Sequence, residues 1–135
     1  MNRREALIAT SASALIRPIN PNSISYAGAC EVAAGARLLF ISGQVPERED
    51  GSVPPDFTAQ CKLTWENIER QLRDAGMTLD HLVKVTTFLS DRRYRTENSL
   101  VRREVLQGRT PAITIIIAEI YDEAWLLEIE AIAAA

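Results

Sequence analysis

Residues 110–135, TPAITIIIAEIYDEAWLLEIEAIAAA, hold two strongly apolar segments separated by a polar bridge. Residues 113–120 are too few to cross a bilayer and rich in β-branched side chains, which predicts a strand buried on both faces. Residues 126–133 alternate instead, with Leu127, Ile129 and Ala131 on one face and Leu126, Glu128, Glu130 and Ile132 on the other. Asp122, Glu123 and Ala124 can carry a turn, so the two segments are expected to pair as a β-hairpin. Glu128 and Glu130 would then project from one face, roughly 6.5 Å apart along the strand. That face either meets water or, since Leu126 and Ile132 share it, presents at least one carboxylate to a pocket.

The whole chain has 135 residues, 47% of them hydrophobic, which suits one domain large enough to bury about two-thirds of its unfolded surface. A net charge of −3 creates no global field to attract nucleic acid or an acidic membrane. The single histidine, His81, rules out a multi-histidine metal site. Cys30 and Cys61 form no CxxC pair and read as two reduced, packed thiols. No segment is apolar for long enough to span a membrane, so neither a metal, a cofactor, a membrane nor a nucleic acid is expected as a partner.

At the N-terminus, Arg3-Arg4 followed by a short apolar stretch and Ala12-Ser13-Ala14 mimics a twin-arginine export signal with an A-x-A site. Glu5 beside the arginines and the shortness of the stretch favour a plain N-terminal extension over residues 1–15 and a cytoplasmic location, with export as the alternative. Residues 17–22, RPINPN, break any helix, which places the domain at residues 16–135.

Residues 25–32 and 38–42 read as two strands joined by a Gly35 turn and paired as a hairpin. Ser42-Gly43-Gln44 ends the second, and a glycine there marks either a bulge or a close backbone approach by a ligand. Asp56 caps a helix running to Ala75, with Gly76 as its stop and Phe57, Cys61, Trp65, Ile68, Leu72 and Ala75 as its buried stripe. Residues 82–90 form a third strand. Asp91 caps a second helix over residues 92–107, whose stripe of Tyr94, Val101 and Val105 also includes Asn98. A buried asparagine must find partners, as a structural hydrogen bonder or as a ligand contact. Arg92, Arg93, Arg95, Arg102, Arg103 and Arg109 in this region read as a solvated basic face.

The order is β-β-α-β-α-β-β, an α+β layer with two helices on one face of a mixed sheet. The other face is too apolar for water and predicts oligomerisation through the sheet.

Several of these segments carry a family resemblance. SYAGACEVAAGARLLFISGQVP (residues 25–46), Asn67, HLVKVTTFLSD (81–91), Asn98, TPAIT (110–114) and EIEAIA (128–133) together resemble the RidA/YjgF family over nearly the whole chain from Ile16. The resemblance implies a chorismate-mutase-like fold and a homotrimer whose sheets form a central barrel, with small-metabolite sites in the clefts between subunits. Archetypal members hydrolyse enamines and imines such as 2-aminoacrylate to keto acids and ammonia, and some relatives carry labels as ribonucleases or translation inhibitors.

Carried over by position, Tyr26 matches the tyrosine at the pocket mouth, and Gly43 the glycine whose N–H helps hold a substrate carboxylate. Asn98 matches a pocket asparagine, and Glu128 the glutamate that positions the hydrolytic water. The family's arginine falls on Ile113, beside Thr114, so the archetypal guanidinium–carboxylate fork is absent at this position. Arg109, four residues upstream and about 13 Å away along an extended chain, cannot stand in for it locally. Ile113 therefore predicts weak deamination of 2-aminoacrylate and a substrate presenting an uncharged or apolar group there. Two functional classes remain: hydrolytic deamination of a non-archetypal imine or enamine, with Glu128 as the catalytic residue, and non-catalytic binding of a small metabolite in the same cleft. An endoribonuclease reading stands third, with no histidine pair, metal cluster or basic groove to serve it.

Overall fold

The structure, a computed structural model, describes residues 15–135. The export-signal and extension readings of the N-terminus rest on residues outside those described. Six strands, β1 (Ile16–Pro21), β2 (Ala27–Val32), β3 (Leu38–Gln44), β4 (Leu82–Leu89), β5 (Ala112–Ile117) and β6 (Leu127–Ala134), form one sheet in the order β1-β2-β5-β4-β6-β3. Helices α1 (Phe57–Asp74) and α2 (Arg95–Leu106) pack on one face, and a 3₁₀ turn at Arg92–Tyr94 leads into α2. The α+β class with two helices on one face of a mixed sheet is therefore the observed architecture.

Both expected hairpins are absent, for the same topological reason. β5 and β6 do not pair, because β4 lies between them, parallel to β5 from Lys84↔Ala112 to Leu89↔Ile117 and antiparallel to β6. The β-branched run is not buried on both faces as expected, since Thr114–Ile117 are exposed; lying parallel to β4, it is reached by a helical crossover, here β4–α2–β5, and the bridge to β6 then has to pass over β4. The bridge is pinned rather than tight: Gln60 of α1 donates to the Ala124 carbonyl at 3.1 Å and accepts from the Leu126 N–H at 2.8 Å. Likewise β2 and β3 do not pair. β2 takes β1 as its antiparallel partner, while β3 joins β6 at the far side of the sheet.

β1 itself is the strand that the RPINPN breaker reading missed. Proline lacks the N–H that a central strand needs, but at the sheet's edge only one flank must be paired. Pro18 and Pro21 sit opposite Cys30 and Ala27, with β1 at the end of the strand order.

The α1 expectation holds closely. The Asp56 carboxylate accepts from the Ala59 N–H at 2.8 Å, and Gly76 takes φ 73°, the left-handed region glycine enters freely, so the chain turns out of the helix. Phe57, Cys61, Trp65, Ile68 and Leu72 are buried against Ile41, Val85, Leu89, Leu127 and Ile129 of the sheet. Each large side chain withdrawn from water this way contributes about 1.5–3 kcal/mol.

α2 is anchored less fully. Its buried positions are Asn98, Val101, Arg102 and Leu106, so half of its inward stripe is polar. Phe57 stacks on Tyr94 at 4.6 Å and fixes the start of the segment. With so little apolar surface to seat on β5, the helix stands off, and Ile115 and Ile117 stay 41% and 38% exposed. A cleft remains between α2 and β5.

The face of the sheet away from the helices carries Leu38, Phe40, Ile116 and Ile132 with Lys84, Thr86, Thr114 and Glu130. Phe40 is 71% exposed. No helix among the described residues is long and apolar enough to cross a membrane.

Candidate functional site

The residues singled out in the sequence fall into two groups on opposite faces of the sheet. The first group is Gly43 and Glu128. β3 is irregular between Ile41 and Gln44 opposite β6, so the chain at Gly43 departs from regular pairing. The Glu128 side chain lies directly over this glycine: an ideal Cβ there would stand 2.7 Å from Cδ, 3.1 Å from Cγ and closer still to Oε2. Alternation sets the direction, since Leu127 and Ile129 bury against the helices and Glu128 must point the other way. Glu128 is half-buried, and no cation among the described residues pairs with it.

The second group surrounds the cleft between α2 and β5, a space of about 390 Å³ lined by Leu89, Arg92, Arg95, Asn98, Ser99, Arg102, Ile115 and Ile117. Asn98 is buried to 2% exposure. Its Oδ1 accepts only the weak Cys61 thiol at 3.9 Å, and its amide nitrogen has no hydrogen-bond partner among the described residues. Burial pushes the Cys61 thiol up to about 12, with Arg102 acting the other way and Glu97 adding to the rise, so the sulfur is a packing atom and not a nucleophile.

Arg102, four residues after Asn98 and on the same helix face, is the residue that sequence reading missed. The cluster of arginines predicts a solvated basic face, yet Arg102 is 5% exposed. Its Nε donates to the Ser25 hydroxyl at 3.1 Å. Ser25 is held in turn by a loop in which the Asn22 Oδ1 accepts from the N–H groups of Ile24, Ser25 and Tyr26. Burial lowers the pKa of Arg102, and Arg103 adds to that effect, while Tyr26 and Cys61 oppose it. Of the remaining arginines, Arg92, Arg93, Arg95 and Arg103 are exposed and Arg109 pairs with Asp80 at 2.7 Å.

Ile113 and Thr114 join neither group. Ile113 packs against the core, opposite Val85. Thr114 points to the open face, where its hydroxyl accepts from the Lys84 ammonium at 2.6 Å.

Comparison with known proteins fixes the ancestry of this arrangement. The model of the family described as Endoribonuclease L-PSP matches residues 22–135. The chain belongs to the RidA/YjgF family. Its fold is that of the Rid protein YyfB from Yersinia pestis, with a TM-score of 0.79 at 26% identity over 90% of this chain and 99% of that one. Protein mmf2, mitochondrial, of Schizosaccharomyces pombe is 36% identical over 121 residues, 87% of this chain and 96% of its own length. The RutC family protein YjgH of Escherichia coli is 42% identical over 72 residues, which cover 53% of this chain and 55% of that relative. A putative reactive intermediate deaminase, TdcF of the same bacterium, is 29% identical over 100 residues, 71% of this chain and 78% of that relative.

Proposed function

We propose that this RidA/YjgF protein is a hydrolytic deaminase of imines or enamines, working as a homotrimer with its sites between subunits. The observation that carries the reading is the Glu128 carboxylate, without an ion pair among the described residues, held over the Gly43 backbone. A carboxylate without a counter-ion, backed by a main chain stripped of its side chain, can orient a water and accept its proton. The reaction adds that water across C=N: the carbon gains oxygen, the nitrogen takes up the protons, and the C–N bond breaks to give a carbonyl and ammonia.

Glu128 and Asn98 lie on opposite faces of one sheet, so a single chain does not bring them to a common substrate. Packing the open face, with Leu38, Phe40, Ile116 and Ile132, against other copies would remove apolar surface from water, and a common site then requires Glu128 of one copy to meet the cleft of another at the border between them. The name of TdcF points to deamination in that relative. A cytoplasmic location goes with this reading, although mmf2 is named as mitochondrial.

The test is release of ammonia, followed by a coupled assay, from a panel of imines generated in place by an amino acid oxidase. Turnover above the rate in water, lost in Glu128→Gln, is the expected result. Ligand binding without turnover across the panel would leave the non-catalytic metabolite-binding reading in its stead.

A further inference from the structure

In the cleft between α2 and β5, a guanidinium is withdrawn from water without a carboxylate to receive it. Arg102 is 5% exposed, and among the described residues no Asp or Glu oxygen lies within ion-pair distance of it. Its one hydrogen bond there uses Nε and the neutral hydroxyl of Ser25; the terminal nitrogens make no other bond among the described residues and are not sealed in the core, so they open onto the cleft. A buried charge is ordinarily paired, because removing it from water is costly. Arginine does not escape that cost by losing its proton.

A second donor faces the same space. The Asn98 amide nitrogen has no hydrogen-bond partner among the described residues, and it lies on the face that lines the cleft, one helical turn before Arg102. Two largely covered side chains one turn apart, their free donors open to the cleft and Arg92 and Arg95 at its rim, make a seat for an anion. The opposite wall is apolar: Leu89, Ile115 and Ile117. A phosphate group, charged and hydrated on all sides, would leave that wall without a partner. A planar carboxylate joined to an apolar chain satisfies both sides, because it accepts two parallel N–H bonds from a guanidinium at one end and buries carbon at the other.

We propose that Arg102 anchors the carboxylate of this protein's ligand, with Asn98 as second donor and the Leu89, Ile115 and Ile117 wall receiving a branched apolar chain. This rests on the deaminase reading and deepens it by naming the residue of this chain that selects a carboxylate-bearing imine, and the wall that favours an apolar one. It also replaces the expectation, drawn from Ile113, of a substrate uncharged at this end. Arg102 reaches the cleft from a helix, so an apolar residue on β5 does not deprive the site of its cation. Ser25 acts as a positioning residue through Nε.

Binding of an unreactive probe tests the assignment without reference to turnover. The probes are 3-methylbutanoate and its neutral counterpart 3-methylbutanamide, titrated into the full chain by calorimetry. The acid is expected to bind roughly ten- to a hundredfold more tightly than the amide, the range for a charge-assisted contact. On the unaltered protein, the Arg102 Nε–H resonance should shift with the acid and stay still with the amide. Arg102→Met should erase the preference for the acid, and Arg102→Lys should restore part of it. Equal binding of both probes, an unmoved Nε–H, or an undiminished preference in Arg102→Met would each overturn the proposal. Inability to bind the acid at all would do the same, and would point to a carboxylate of a neighbouring copy as the partner of Arg102. Acid binding through Arg102 in a protein that turns over no imine would leave this assignment standing and remove the deaminase reading alone.

Discussion

The Glu128 side chain occupies the space that a Cβ on Gly43 would need. Any side chain at position 43 must therefore displace the carboxylate, and what moves is the far end of a flexible chain. Gly43 is not among the residues with positive φ, so alanine meets no backbone strain there. Gly43→Ala should fold with a stability loss below about 1 kcal/mol while its hydrolytic rate falls by at least tenfold. Paired urea denaturation and ammonia-release measurements read the two effects separately. A variant as active as the parent would show that the apposition of these two residues is incidental.

Glu128→Gln keeps the shape and removes the charge. Since Glu128 has no ionic partner among the described residues, the amide breaks no salt bridge, and the urea midpoint should hardly move. Loss of general-base assistance should slow hydrolysis by about 10²–10⁴-fold. Turnover within twofold of the parent would rule out the catalytic role.

Light scattering of the purified chain should return a mass near three times 15.0 kDa if the open face joins three copies. Phe40, the most exposed large side chain of that face apart from its loops, gives the sharper test. Phe40→Glu places a charge where a copy would seat and should shift the population to monomer at micromolar concentration, with circular dichroism preserved. A stable monomer before any substitution would sink the proposed assembly.

The Cys61 thiol gives a signature at high pH. Unfolded, it ionises near 9.0, but folded only at about 12. Between those values the unfolded chain sheds a proton that the folded chain keeps, so stability contributed by the neutral thiol is intact below pH 9 and declines as pH rises beyond it. The slope is at most about 1.4 kcal/mol per pH unit. Cys61→Ala should be less stable at pH 8 because of the cavity, yet lose less stability from pH 9 to pH 10.5. Parallel curves for the two proteins would refute the assignment.

Local pattern revealed the elements far better than their partners. The α1 boundaries followed from Asp56 and Gly76, and the two faces of β6 from strict alternation, because both signals are carried by neighbours in the chain. Strand pairing is not local: nothing within residues 113–133 says that β4 will come between β5 and β6, and β1 looks like a loop until it has an edge to lie on. The site divides in the same way. Gly43 and Glu128 stood out as a strand-end glycine and a carboxylate among apolar neighbours. Arg102 was hidden among six arginines scattered over residues 92–109, although its spacing from Asn98 already placed both on one helical face.

Pro18 and Pro21 have a further consequence for how copies of the sheet can meet. An exposed terminal strand ordinarily offers a row of N–H donors on which a foreign strand can template itself, the route to fibrils and runaway assembly. β1 carries two residues with no such donor, on opposite flanks of the strand since they lie three apart, and its Arg17 is drawn across to Glu31 at 3.2 Å, which keeps charge at the same border. Copies turned away from this rim are left to meet at β3, the opposite edge, or face to face, and a face, unlike a rim, is used up once it is covered. The two residues that disguised β1 in the sequence thus bias the protein towards assemblies that end.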